Sequence, residues 1–163
     1  KVRQYMPRYG PQYVLFTTTA ATETVLSAYM LTDATRNMEV VEAIMTGSGA
    51  TAAADTQHRA SLVGSTFGAT GVSTTITPIP FNPTGPAALG NFGANLSTES
   101  TTYSAVTPVT FGFNQRGGMR WAVPQGEGFK AANYGTTEKG VGWTVISAAA
   151  GVVDGNIHFW QAN

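Results

Sequence analysis

An all-β, single-domain, jelly-roll-like sandwich of about eight strands is the fold this sequence predicts. Three observations lead there. Short runs rich in β-branched and aromatic residues recur along the chain, separated by clusters of Gly, Pro, Asn and Ser. No segment keeps a helical period for long, so the βαβ alternation of a parallel sheet is absent. Thr, Ala, Gly and Ser dominate a composition that is only 11% charged, which suits short strands and loops better than helices. At 163 residues the chain can bury a core without metal or disulfide help, and no linker divides it.

The first twelve residues carry Lys1, Arg3 and Arg8 between aromatic and proline positions, and predict an extended basic arm. The sandwich is then expected over residues 13–163. Residues 13–19 and 24–31 read as the first two strands. Residues 37–46 read as a third, with Met38, Val40, Glu42 and Ile44 on one face and Glu39, Val41, Ala43 and Met45 on the other. Neither face is cleanly polar, which predicts cover on both sides for part of its length; a helix is the competing reading, since Glu and Met favour helix. Residues 57–64 form the next run. In residues 74–81, Pro78 and Pro80 cannot donate to a ladder, so this run belongs at an edge or outside the sheet.

A long irregular loop is expected around residues 82–104. Its turn chemistry lies in Asn82-Pro83-Thr84-Gly85-Pro86 and Gly90-Asn91-Phe92-Gly93, its apolar anchors in Leu89, Phe92, Leu96 and Tyr103. The last third alternates clearly. Val109, Phe111 and Phe113 share one face, the Gln115-Arg116-Gly117-Gly118 turn follows, and Met119, Trp121 and Val123 share the next. Val141, Trp143 and Val145 make another inward face, Asp154-Gly155 a last turn, and residues 156–161 a closing strand with Ile157 and Phe159 inward and Trp160 outward.

Chemistry is sparse. With no cysteine there is no disulfide, zinc–thiolate site, iron–sulfur cluster or Cys nucleophile. Nine basic residues balance nine acidic ones, so the electrostatic term on which nucleic-acid binders depend is missing. No apolar run is long enough for a membrane-spanning helix. Neither a Gly-x-Ser-x-Gly elbow, a Walker loop nor a calcium loop occurs. His58 and His158 are too few for a three-histidine zinc site, and both read as surface or boundary imidazoles. Asp55 and His58 face opposite sides of a strand, as do Glu39 and Glu42, so neither pair forms a dyad. Further carboxylates (Asp33, Glu99, Glu127, Glu138, Asp154) give a hydrolase no singled-out pair. No cofactor, metal or catalytic residue is expected, and the chain reads as non-enzymatic.

The run Phe111-Gly112-Phe113-Asn114-Gln115-Arg116-Gly117-Gly118-Met119-Arg120-Trp121, then Val123-Pro124-Gln125-Gly126-Glu127 and the closing Gly155-Asn156-Ile157-His158-Phe159, resembles small β-rich virion structural proteins of tailed bacteriophages. The resemblance is strongest in the C-terminal part of the chain and rests on turn and core residues. It implies a capsid decoration or cement protein at the capsid surface, with a jelly-roll-like fold. The partners expected are the chain itself, as a trimer or larger symmetric group, and the major capsid protein; no specific nucleic acid and no membrane are expected. The interface residues expected are Lys1, Arg3, Tyr5, Arg8 and Tyr9 in the arm, Leu89 and Phe92 in the long loop, Arg116 and Arg120 beside the glycine turn, and Trp160. The alternative is a carbohydrate-binding or receptor-binding sandwich that takes glycans on exposed Trp160, Tyr134 and Tyr103.

Overall fold

The computed structural model describes residues 7–10, 14–18, 23–30, 37–48, 57–67, 74–88, 90–94, 102–103, 109–132 and 138–161. Every regular element among them is a strand: β1 (Arg8–Gly10), β2 (Val14–Thr18), β3 (Glu23–Met30), β4 (Asn37–Ser48), β5 (Gln57–Phe67), β6 (Thr74–Ile76), β7 (Ile79–Pro80), β8 (Gly90–Ala94), β9 (Thr102–Tyr103), β10 (Val109–Asn114), β11 (Gly118–Ala122), β12 (Phe129–Ala132), β13 (Glu138–Ser147) and β14 (Gly151–Gln161). The helix considered for residues 37–46 is therefore replaced by strand β4, whose Val40-Val41 pair and apolar alternation outweigh the helix propensity of Glu and Met.

All pairings are antiparallel, and they build two sheets packed face to face. The principal order of sheet A is β2-β14-β4-β11; that of sheet B is β3-β13-β5-β10. Each of the steps β2 to β3, β4 to β5, β10 to β11 and β13 to β14 crosses from one sheet to the other. The registers place all these crossings at one end: Thr18 faces Gly151, Ser48 faces Val152, Gly118 faces Thr46, and Asn114 faces Gln57. This is jelly-roll wiring. Shorter strands widen the sheets. β1 and β7 extend sheet A beyond β14, β12 pairs with β4 beside β11, β8 and β6 extend sheet B beyond β3, and β9 pairs with β5 beside β10.

The core lies between the sheets. Tyr9, Met38, Val40, Ala43, Met45, Val153, Ile157 and Phe159 come from sheet A, and Ala60, Leu62, Phe113 and Val145 from sheet B. Val109, Phe111, Met119 and Trp121 pack against it, as their alternation requires.

Four local expectations change. Residues 8–10 of the basic arm are a strand inside sheet A, between β14 and β7; residues 1–6 lie outside the described residues. Gly90-Asn91-Phe92-Gly93 forms strand β8 rather than a turn, because β3 and β6 pair with it on both sides. Asp154-Gly155 lies mid-strand; the turn before β14 is at residues 148–150. Finally, β4 contains a bulge. The register against β14 shifts at Val41: Glu42 faces His158, while Val40 faces Phe159. One extra residue inverts the alternation. Met38, Val40, Ala43 and Met45 all reach the core, and Glu39 and Glu42 end up on the same outer face of sheet A.

Among the described residues the outermost strand on one side of sheet A is β7. Phe81 N–H donates to Arg8 O (2.9 Å), so alternation turns the nitrogens of Pro78 and Pro80 to the free edge, where they offer no donor to another strand. Their placement at an edge is the one the sequence predicts.

Candidate functional site

The most chemically dense surface among the described residues is the outer face of sheet A, around Glu42. Successive strands place Arg120 (β11), Glu42 (β4), His158 (β14), Arg8 (β1) and Phe81 (just after β7) side by side. The Glu42 side chain is 7% exposed and its carboxylate is saturated. Oε1 accepts from Arg120 Nε at 2.5 Å. Oε2 accepts from His158 Nδ1 at 2.6 Å and from Arg8 Nη2. A carboxylate only accepts, so the Nδ1 of His158 carries its proton. Arg8 Nη2, itself a donor, stands 3.1 Å from that nitrogen and cannot bond to it. Burial pushes the Glu42 carboxyl up, but the hydrogen bonds and charges of His158 and Arg120 outweigh that and hold it below its usual value.

The surrounding groups are fixed by this centre. Phe81 meets the His158 ring edge-to-face with centroids 4.8 Å apart, and the Arg8 guanidinium lies 4.9 Å from the Phe81 ring centre. Phe81 itself is 55% exposed. Trp160 is half-buried on the same outer face, opposite Arg8 and Glu39. Glu39, also buried, accepts the N–H groups of Gly126 (2.6 Å) and Gly128 (2.7 Å) and so caps the turn before β12, in which Gly126 adopts φ +99°. Both carboxylates are thus spent inside the protein, while the Arg120 side chain is 68% exposed.

A second polar group closes the crossing end of the sandwich. Gln115 Nε2 donates to Val152 O at 2.9 Å, which aims its Oε1 at His58 Nε2, 2.5 Å away. His58 Nε2 must then donate, and in the neutral ring Nδ1 accepts from Ser147 Oγ at 2.7 Å. The His58 ring stacks on Phe113. These groups could be mistaken for a nucleophile, base and orienting amide. However, Ser147 is 1% exposed and His58 2%, so no substrate atom can approach the hydroxyl. The chain is a structural tie between β5, β13, β14 and the β10–β11 turn. That turn approaches β4 so closely that a Cβ on Gly47 would fall 1.8 Å from Gln115 O. Replacing Gln115 with Ala is expected to cost about 2 kcal/mol, since His58 Nε2 and Val152 O lose their partner; urea unfolding would read it.

Among the residues the sequence singles out, the fold brings Arg8, Arg120 and Trp160 to this one face. Arg120 is engaged by Glu42 of its own chain rather than standing free for a neighbour. Tyr9 is fully buried in the core, and Arg116 is exposed in the β10–β11 turn. Phe92 lies in β8 opposite Ala28 and Ile76, and Tyr103 in β9 opposite Ser65. Lys1, Arg3, Tyr5, Leu89 and Tyr134 lie outside the described residues.

The sequence reading misplaced His58, which is buried rather than a surface or boundary group, whereas His158, with its side chain 13% exposed, is the boundary imidazole expected. It missed Glu42 as a hub because the bulge at Val41 hides the face it shares with Glu39. The usable signal was an acid midway along an otherwise apolar strand. No protein-family model, curated protein or solved structure matches the chain.

Proposed function

We propose that this chain is a non-enzymatic structural protein of a virion, a decoration or cement subunit that associates with itself and with the major capsid protein on the capsid surface. The observation that carries the reading is the jelly-roll wiring of the two sheets, an architecture that viral capsid domains share with lectins. The resemblance of residues 111–159 to tailed-phage virion proteins points the same way. Ile79 and Phe81 are exposed on an edge whose prolines refuse strand pairing, so contact there is made by side chains. Cosedimentation with capsids from the genome that encodes the chain tests it. Saturable binding at a fixed ratio to capsid protein is expected; no binding overturns the reading.

The second reading, a glycan-binding module, is favoured by Phe81 and Trp160 beside Arg8 and Arg120 on one face. Binding of the folded chain to a glycan array, lost on Phe81→Ala, would support it.

A further inference from the structure

We infer that strand β1 is an acid-releasable latch: the Glu42 cluster holds residues 7–10 in sheet A at neutral pH and lets them go, with β7, when Glu42 takes up a proton. This inference concerns regulation of the fold and stands apart from the assembly role proposed above.

The strand is short and held at few points. Its register with β14 is Arg8 to Trp160 and Tyr9 to Phe159, and with β7 Tyr9 to Pro80 and Gly10 to Ile79. The backbone ties recorded beyond the ladder are Gln161 N–H to Pro7 O (3.4 Å) and Phe81 N–H to Arg8 O (2.9 Å). Among the described residues β7 pairs with β1 alone, so it has no other ladder there once β1 leaves.

Two side chains fasten the strand. Tyr9 fills the core, and Arg8 reaches Glu42. The Arg8 contact is the titratable one. Arg8 Nε is buried with no partner, so the cost of desolvating the guanidinium is offset by Glu42 and the face of Phe81. The groups around Glu42 are Arg8 from β1, His158 from β14 and Arg120 from β11. Glu39 lies further along the same face of β4, with Lys130 of β12 opposite it, and Asp154 lies further along β14. Among the described residues Glu42 is the sole anion in contact with Arg8, Arg120 and His158. A proton on its carboxyl therefore leaves two guanidinium groups and an imidazole crowded with no counter-charge, and the half-buried Arg8 gains most by moving into water.

Losing a charge-assisted hydrogen bond of this kind raises the open population by about tenfold or more. The middle of the β5–β13 ladder, Ala60–Ser65 against Gly140–Val145, has no ionisable side chain and keeps its structure.

Hydrogen exchange, corrected for the intrinsic rate at each pH, tests this. The reporters are the Phe81 and Gln161 amides, which donate to Arg8 and Pro7, with amides of residues 60–65 and 140–145 as the reference. Between neutral pH and about pH 3.5 their protection is expected to fall by up to about tenfold, the limit for one proton about one pH unit below the ordinary value of 4.5, while the reference holds. Glu42→Gln and Arg8→Gln, each removing one side of the contact, are expected to show the low protection already at neutral pH, with little further change in acid. Three results would overturn the latch: protection of Phe81 and Gln161 that ignores pH, loss of it only together with β5 and β13, or variants that keep the wild-type pH response.

Discussion

Glu42→Ala is expected to lower the unfolding free energy by about 3 kcal/mol, the low end of the range for breaking a buried ion pair from one side. The low end applies because Arg120 and, in part, Arg8 can turn to solvent, whereas His158 cannot. For a chain of this length that is a melting temperature lower by roughly 6–12 °C. The pH dependence follows from the sign of the shift. The carboxyl of Glu42 lies lower in the folded state than the ordinary value of 4.5. Its contribution is therefore fully present above that value and is lost as pH falls through the folded one. Urea unfolding of the wild type should weaken in this acid window, and Glu42→Ala should lack that part of the slope. Equal slopes in the two proteins would place the acid sensitivity elsewhere.

Tyr9→Ala is expected to cost about 4 kcal/mol, as for other large aromatic truncations in a core. Tyr9 has no exposed surface, its ring stacks on Phe159 with centroids 5.3 Å apart, and its hydroxyl donates to Pro86 O at 3.1 Å. Removing the ring leaves a cavity between β14 and β7 and frees the segment after β7 from its anchor. Tyr9→Phe should cost only about 1 kcal/mol, the worth of one hydrogen bond. Similar losses for the two variants would mean that the hydroxyl, not the ring, holds β1.

Much of the architecture was legible because it depends on period-2 patterns that the chain displays openly. The Val109-Phe111-Phe113 and Met119-Trp121 faces read correctly because each strand has one face toward the core, and Pro78 and Pro80 read as an edge because a missing N–H has a single structural consequence. The candidate site was much less legible. Glu42, His158, Arg8 and Arg120 come from four strands, and Arg8 and His158 are 150 residues apart. No local spacing signals such a meeting. The bulge at Val41 compounded this, since a strict alternation puts Glu39 and Glu42 on opposite faces. Asp154-Gly155 shows the same limit. The dipeptide is good turn chemistry, but β2 and β4 on either side of β14 hold it extended.

The native mass of the purified chain tests the proposed role most directly, since a decoration or cement subunit acts by symmetric association. Size-exclusion chromatography with light scattering at neutral pH should return a trimer or a larger symmetric assembly of identical chains. A monomer that persists at high protein concentration would contradict it.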